Sequence, residues 1–353
     1  MTDRATELLS RPAAQSVRLI AQGYLDTATR ALERTGDPQD ALALHDFRVA
    51  LRRLRTTLRA YQPLLEDGVG KKPRKILGDI ADATNRVREA EAALEWLRPL
   101  ATGMTPGERV GLNWLIERIE QRRVKELERC LAEVHRSFSA ATRKLRKGLL
   151  TYRQTVGTEP SATDVPFAGV VHAAALEQAR QLDQLLGEVR KSDDEVAHRA
   201  RIAGKRLRYV LEPVVAAWPD GEELIERLKA VQDLLGELHD LQELEASLRA
   251  AVGAAAAERA EQLLDAALTE AQPVGRRPRR RGRQSGLVAI GLRMRLRQRE
   301  LFTELRRDWL GNKRTWTKDV AALLPAVAPV PNAVVPVPVA APDVRRWRVG
   351  RPG

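Results

Sequence analysis

Apolar residues recur three and four positions apart along most of this 353-residue chain, and no stretch alternates convincingly as a strand does. That spacing restricts the chain to helices that each bury one stripe. Ala, Leu, Arg and Glu dominate, and aromatics make up only 4% of the residues, which favours helix over sheet. The spacing predicts helices over 13–35, 40–66, 71–100 and 107–155. After a polar break at 157–166 (GTEPSATDVP), it predicts helices over 167–190, 193–217, 220–251, 254–271 and 287–324. Gly36-Asp-Pro38, Glu66-Asp-Gly68 and Gly103–Gly107 separate the first four with residues that stop helices. The expected fold class is all-α.

The two runs of helices repeat one another. HDFRVALRRLR, from His45 to Arg55, returns 153 residues later as HRARIAGKRLR, from His198 to Arg208, with six of eleven positions identical. One helix further on, Ile76–Leu94 corresponds to Ala230–Leu248. Such a duplication predicts two antiparallel four-helix bundles, spanning 10–156 and 166–324. Two segments fall outside this plan. Residues 273–286 (PVGRRPRRRGRQSG) read as an arginine-rich loop, with six Arg among positions 276–283. Residues 325–353 alternate Pro with Ala and Val before a basic tip, and read as an extended, disordered tail.

The net charge of +13 is unevenly spread. Residues 273–353 hold 19 Lys/Arg against 5 Asp/Glu, whereas residues 1–272 hold 41 against 42. A basic site in the main body must therefore arise by segregating charge onto one face.

The repeated stretch does so. On a wheel of about 100° per residue, with His45 at zero, Arg48, Arg52, Arg55 and Arg59 fall between about −80° and −20°. Phe47, Leu51, Leu54, Leu58 and Tyr61 occupy the opposite side. In the second copy His198, Arg201, Lys205 and Arg208 take the same angles. Like charges at this spacing repel by a few tenths of a kcal/mol per pair, and an anion lying along the stripe would relieve that repulsion. Histidine, with an ordinary pKa of roughly 6.5, would charge beside a polyanion and add a directional bond to a phosphate oxygen. A single basic helix can also be a solvated face paired with acids. Two copies with the same signs and the same histidine weigh against that reading.

The paired motif H-x-x-R-[VI]-x-x-[RK]-R-L-R in an all-helical chain resembles the CHAD domain, the conserved histidine α-helical domain. A Leu235-Gly-Glu-Leu-His239-Asp240 stretch on the following helix, with a weaker counterpart at Ala83–Glu91, also fits that family. The resemblance spans roughly residues 10–320. It implies two bundles related by a pseudo-two-fold, with basic residues lining a central cleft or pore. It also implies binding of inorganic polyphosphate and association with polyphosphate granules. By that resemblance His45, Arg48, Arg52, Arg53 and Arg55 form one half-site, and His198, Arg201, Lys205, Arg206 and Arg208 the other. Arg59 continues the first stripe, and Arg88 and His239, expected at matching positions on the next helices, extend the cleft. Arg59 is matched by Glu212, so the halves are expected to differ at that end. Asp240 or Glu89 is expected to buttress arginines across the cleft.

No phosphate-loop motif is present. Glu195-Val-Ala-His198 has half of a di-metal spacing, but Leu42-Ala-Leu-His45 does not repeat it. No catalysis, cofactor or resident metal is expected, although divalent cations could accompany a polyphosphate. Nucleic acid is the alternative partner, through residues 276–283 and the RRWR tip, where Trp347 could stack on bases. The lone Cys130, an N-terminus without an apolar leader and no run long enough for a bilayer lead to an expected cytoplasmic, non-membrane protein.

Overall fold

The computed structural model describes residues 2–37, 39–40, 42–150, 165–189, 194–268 and 283–324. Among them the helices are α1 (Thr2–Ser10), α2 (Ala13–Arg34), α3 (Ala43–Ala60), α4 (Lys71–Leu97), α5 (Pro106–Leu150), α6 (Phe167–Glu188), α7 (Asp194–Leu211), α8 (Gly221–Leu268), α9 (Arg283–Asp308) and α10 (Trp316–Leu323). Short 3-10 turns follow α3, α4 and α7 and precede α10. No strand occurs among the described residues, and the protein is all-α.

The apolar stripe explains how the helices sit. In α3, Phe47, Leu51, Leu54, Leu58 and Tyr61 are all buried, so the face opposite the arginines is the packed one. Within the first half α2 packs on α3 and α4 on α5; within the second, α6 packs on α7 and α8 on α9. Contacts also run between the halves: α2 touches α6, α3 touches α7, α4 touches α8 and α5 touches α9. At the starts of α2 and α6 the backbones join directly, Ala13 donating to the Val165 carbonyl at 2.9 Å and Phe167 to the Arg11 carbonyl at 3.0 Å. The buried apolar side chains form one continuous cluster drawn from both halves, so the halves share a core. Tyr61 and Phe167 meet edge-on across it, with centroids 5.4 Å apart.

The helix boundaries differ from expectation in four places. Residues 2–10 form α1, whose buried Ala5 and Leu8 lie against the second half, in contact with α6 and the 3-10 turn at Val215–Ala217. The expected pair 220–251 and 254–271 is a single helix, because the alanines around Gly253 favour helix strongly enough to carry it through. The expected helix 287–324 is broken between Asp308 and Trp316, where Gly311 adopts a φ of 66°. Residues 273–282 lie outside the described residues, but 283–286, expected as loop, are the first turn of α9. Helix is favoured there because α9 crosses closely over α5: Gly286 lies against Gly111 and the Glu108 carbonyl, where a Cβ would overlap backbone. Arg283 also pairs with Glu258 and covers the Trp114 ring. The expected tail at 325–353 lies outside the described residues.

A second tight approach, between Gly68 before α4 and Gly148 near the end of α5, leaves no room for a Cβ on either residue. Gly148→Ala should therefore lower the melting temperature, at a cost of about 1–3 kcal/mol from overpacking, although alanine is the better helix former. Gly253→Ala, with open space around it, should instead stabilise by up to about 1 kcal/mol. Thermal denaturation of both variants checks the sign.

Candidate functional site

Four helices bring the basic residues together. Where α3, α4, α7 and α8 meet, Arg48 and Arg52 come from α3, Arg88 from α4, His198, Arg201 and Lys205 from α7, and His239 from α8. Arg48 and Arg201, at equivalent places in the repeat, are both buried. Arg52, Arg88, His198, Lys205 and His239 are partly buried. The rings of His198 and His239 lie 4.5 Å apart, tilted at 50°.

The acids nearby do not balance this charge. Glu91 accepts from Arg48 at 3.3 Å, and Asp240 pairs with Arg88 at 2.5 Å across the α4–α8 contact. Asp240 is therefore the buttress anticipated from the sequence. Arg52, Arg201 and Lys205 have no side-chain hydrogen bond or ion pair within 4.0 Å among the described residues. The buried Arg201 Nε and His198 Nδ1 are without partners there.

Burial and mutual repulsion are visible in the proton affinities. Burial lowers Lys205 well below an ordinary lysine, and Arg201, Arg52, Arg88 and Arg208 lower it further. Burial brings Arg201 to about 10, with Arg88 and Arg52 adding to the effect against the pull of Asp240. Arg48 also falls to about 10, mainly by burial, despite Glu91. His239 drops to about 3 through burial and then Arg201, His198, Arg88 and Lys205. His198 shifts the same way, through burial and then Arg201 and Lys205. Both imidazoles are thus neutral in the empty protein at physiological pH, while the arginines keep their charge.

The remaining residues expected at the site flank this cluster or stand apart. Arg53 donates to Glu212 at 2.8 Å, and Arg208 lies 3.2 Å from the other oxygen of the same carboxylate. Two arginines from opposite halves therefore share one acid. The hydroxyl of Tyr24, from α2, is pushed up to about 12, first by burial and then by the charge of Glu212. Arg208 also bonds the Tyr209 hydroxyl at 3.1 Å and covers its ring. On the other flank Arg206 is lowered to about 10 by burial and then by Arg59. Arg55 is lowered by burial and, against the pull of Asp82, by Arg59 and Arg52. His45 is exposed, with no side-chain hydrogen bond or ion pair among the described residues. Sequence reasoning did not anticipate the tyrosines or the double role of Glu212. Glu89 and Glu243 face each other electrostatically at the α4–α8 contact, and each is raised mainly by burial.

Among the described residues, no group of three or more His, Cys, Asp or Glu side chains is placed to hold a metal ion, and no helix is long and apolar enough to cross a membrane. An open hollow of about 430 Å³ runs along α9, lined by residues such as Leu296, Arg299 and Thr303, and includes none of the basic cluster.

The family model for the CHAD domain matches residues 19–249. This chain belongs to the CHAD family. Among solved structures, the CHAD domain from the plant Ricinus communis is similar at 17% identity and a TM-score of 0.54, covering 90% of this chain and 93% of that one. PptA from Streptomyces chartreusis is similar at 16% identity and a TM-score of 0.59, covering 88% of this chain and 99% of that one. At these identities the likeness is one of fold. A comparison with curated proteins finds no match. The CHAD match takes in α3, α4, α7 and most of α8, so every residue of the basic cluster lies inside it.

The unpaired charge has a measurable cost. Lys205→Met should raise the melting temperature of the ligand-free protein by removing a desolvated cation. The sign follows from the lowered pKa of Lys205. Above an ordinary lysine pKa the residue is neutral in both folded and unfolded states, and the charge-related advantage of methionine vanishes. As pH falls through the interval down to the folded value that advantage grows, and below it the advantage is constant. Melting curves from pH 7 to 11 check this.

Proposed function

We propose that this CHAD chain binds inorganic polyphosphate without transforming it, in the basic cluster where α3, α4, α7 and α8 meet. The observation that supports this reading best is the set Arg52, Arg201 and Lys205. These cations are buried or partly buried, repel one another and have no ion-pair partner among the described residues. A folded protein keeps such an arrangement when an external anion completes it. In this reading the two halves are bundles related by a pseudo-two-fold, and their facing basic helices line a channel. Guanidinium groups offer forked donors to successive phosphates, and the helices hold them at fixed spacing before the ligand arrives. Release of counter-ions from the polyanion drives binding. The neutral His198 and His239 charge when phosphate oxygens approach and add donors directed at them. The family's association with polyphosphate supports the choice of ligand, and a place at polyphosphate granules in the cytoplasm follows from it. Divalent cations would enter with the polyanion, not as resident metals.

Binding of polyphosphate of defined length should be tight at low salt and fall steeply as salt rises. Arg52→Ala and the double variant His198→Ala/Lys205→Ala should each weaken it. Each should also flatten the slope of log K against log[salt], by about 1 for every phosphate no longer neutralised. Wild-type affinity in both variants would refute the site. Displacement of polyphosphate by single-stranded RNA at equal phosphate concentration would shift the reading to nucleic acid. Unchanged chain length on a gel, with and without divalent metal, is the result expected if the protein only binds.

A further inference from the structure

Of the two equivalent buried arginines in the cluster, one has a carboxylate and the other does not. In α3, Arg48 donates to Glu91 at 3.3 Å. Arg201 holds the matching place in α7, and in the aligned stretches of α4 and α8 the residue matching Glu91 is Glu245. Glu245 is engaged elsewhere, with Arg249 at 2.6 Å and Arg295 at 3.4 Å. Asp240 is held by Arg88 and acts on Arg201 only from a distance.

What faces Arg201 instead is bare backbone. A Cβ at Gly236 of α8 would stand 3.6 Å from Arg201 Nε. Arg201 is buried, and that Nε has no hydrogen-bond partner. The arginine thus passes α8 at a residue that has no side chain. In the first half the residue matching Gly236 is Asp82, so a faithful copy would put a carboxylate there. The first half has its glycine one turn earlier, at Gly78, where Arg55 Nη2 lies 3.7 Å from the Cβ position and Asp82 pulls on the arginine.

An arginine already matched by a carboxylate gains little from a phosphate, because the new bond replaces an old one. One without a partner gains the whole of a charge-assisted pair. We propose that Gly236 is a positioning residue for polyanion binding: by leaving α8 bare beside Arg201 it keeps that guanidinium unneutralised and presents it to a phosphate group of the bound chain. Gly236 acts only through Arg201. The inference rests on the polyphosphate reading and adds to it the residue that sets one of its anchors.

A double-mutant cycle tests it, read by polyphosphate affinity, its salt dependence and thermal melting. Gly236→Leu fills the space beside Arg201. It should weaken binding about tenfold and flatten the slope of log K against log[salt] by about 1, as Arg201→Ala should. In the Arg201→Ala background it should add no further loss. Gly236→Ala, whose Cβ makes only ordinary contact, should bind as the wild type does and melt higher, because alanine is the better helix former. If Gly236→Leu does not fold, Gly236→Asp decides. It restores the carboxylate of Asp82, so it should weaken binding and raise the melting temperature, and that gain should disappear in the Arg201→Ala background. Wild-type affinity in a folded Gly236→Leu protein, an undiminished loss in the Arg201→Ala background, or a melting gain from Gly236→Asp that persists there would overturn the role of Gly236 and leave the polyphosphate reading standing. No binding by the wild type would remove that reading, and this inference with it.

Discussion

Arg52, Arg201 and Lys205 would drift apart in water, yet here they are held together with no ion-pair partner among the described residues, Asp240 acting on Arg201 only from a distance. What holds them is the other side of their helices. Phe47, Leu51, Leu54 and Leu58 fix α3, and Ala200, Ala203, Leu207 and Val210 fix α7, in a core shared by both halves. Burying one apolar side chain contributes about 1.5–3 kcal/mol, so the sum over two helices exceeds the repulsion among a few partly screened charges. The lowered proton affinities of Lys205, His198 and His239 record the strain that remains.

The duplication sets the form of the site, and divergence sets its detail. Because α3 meets α7 and α4 meets α8, the repeated helices lie against one another. Where the copies have diverged, their contacts differ. Glu212 joins Arg53 to Arg208, with Tyr24 and Tyr209 around it. The shared carboxylate ties α3 to α7, and so ties one half to the other. The same residue that breaks the charge symmetry also serves as a clasp between the halves.

Much of this was legible in the sequence. Helical spacing gave the all-α class and the buried stripe of α3, because a strict period leaves little choice of which face packs. The repeat pointed to the basic cluster, and the even charge balance of residues 1–272 showed that its cations were placed. The rest depended on pairings between distant segments. His45 and His198 head matching motifs, but only His198 has an imidazole beside it: His239 comes from α8, and in the aligned stretch of α4 the corresponding residue is Asn85, not Arg88 as expected. The Glu212–Arg53 bond spans 159 positions, which no local spacing reveals. Continuity through Gly253 and the break at Gly311 turned on neighbouring alanines in one case and a left-handed residue in the other, a distinction glycine alone does not make.

The five histidines offer the most direct test of the central claim, that a polyanion completes the charge at this crossing. In the empty protein at pH 7, His198 and His239 are neutral. A phosphate chain in contact with them would raise both pKa values, so they would take up protons on binding. Imidazole NMR signals followed through a pH titration, with and without polyphosphate, report each ring separately. Upward pKa shifts at His198 and His239 are expected on addition of polyphosphate. Both rings unmoved in the presence of saturating polyphosphate would contradict the claim.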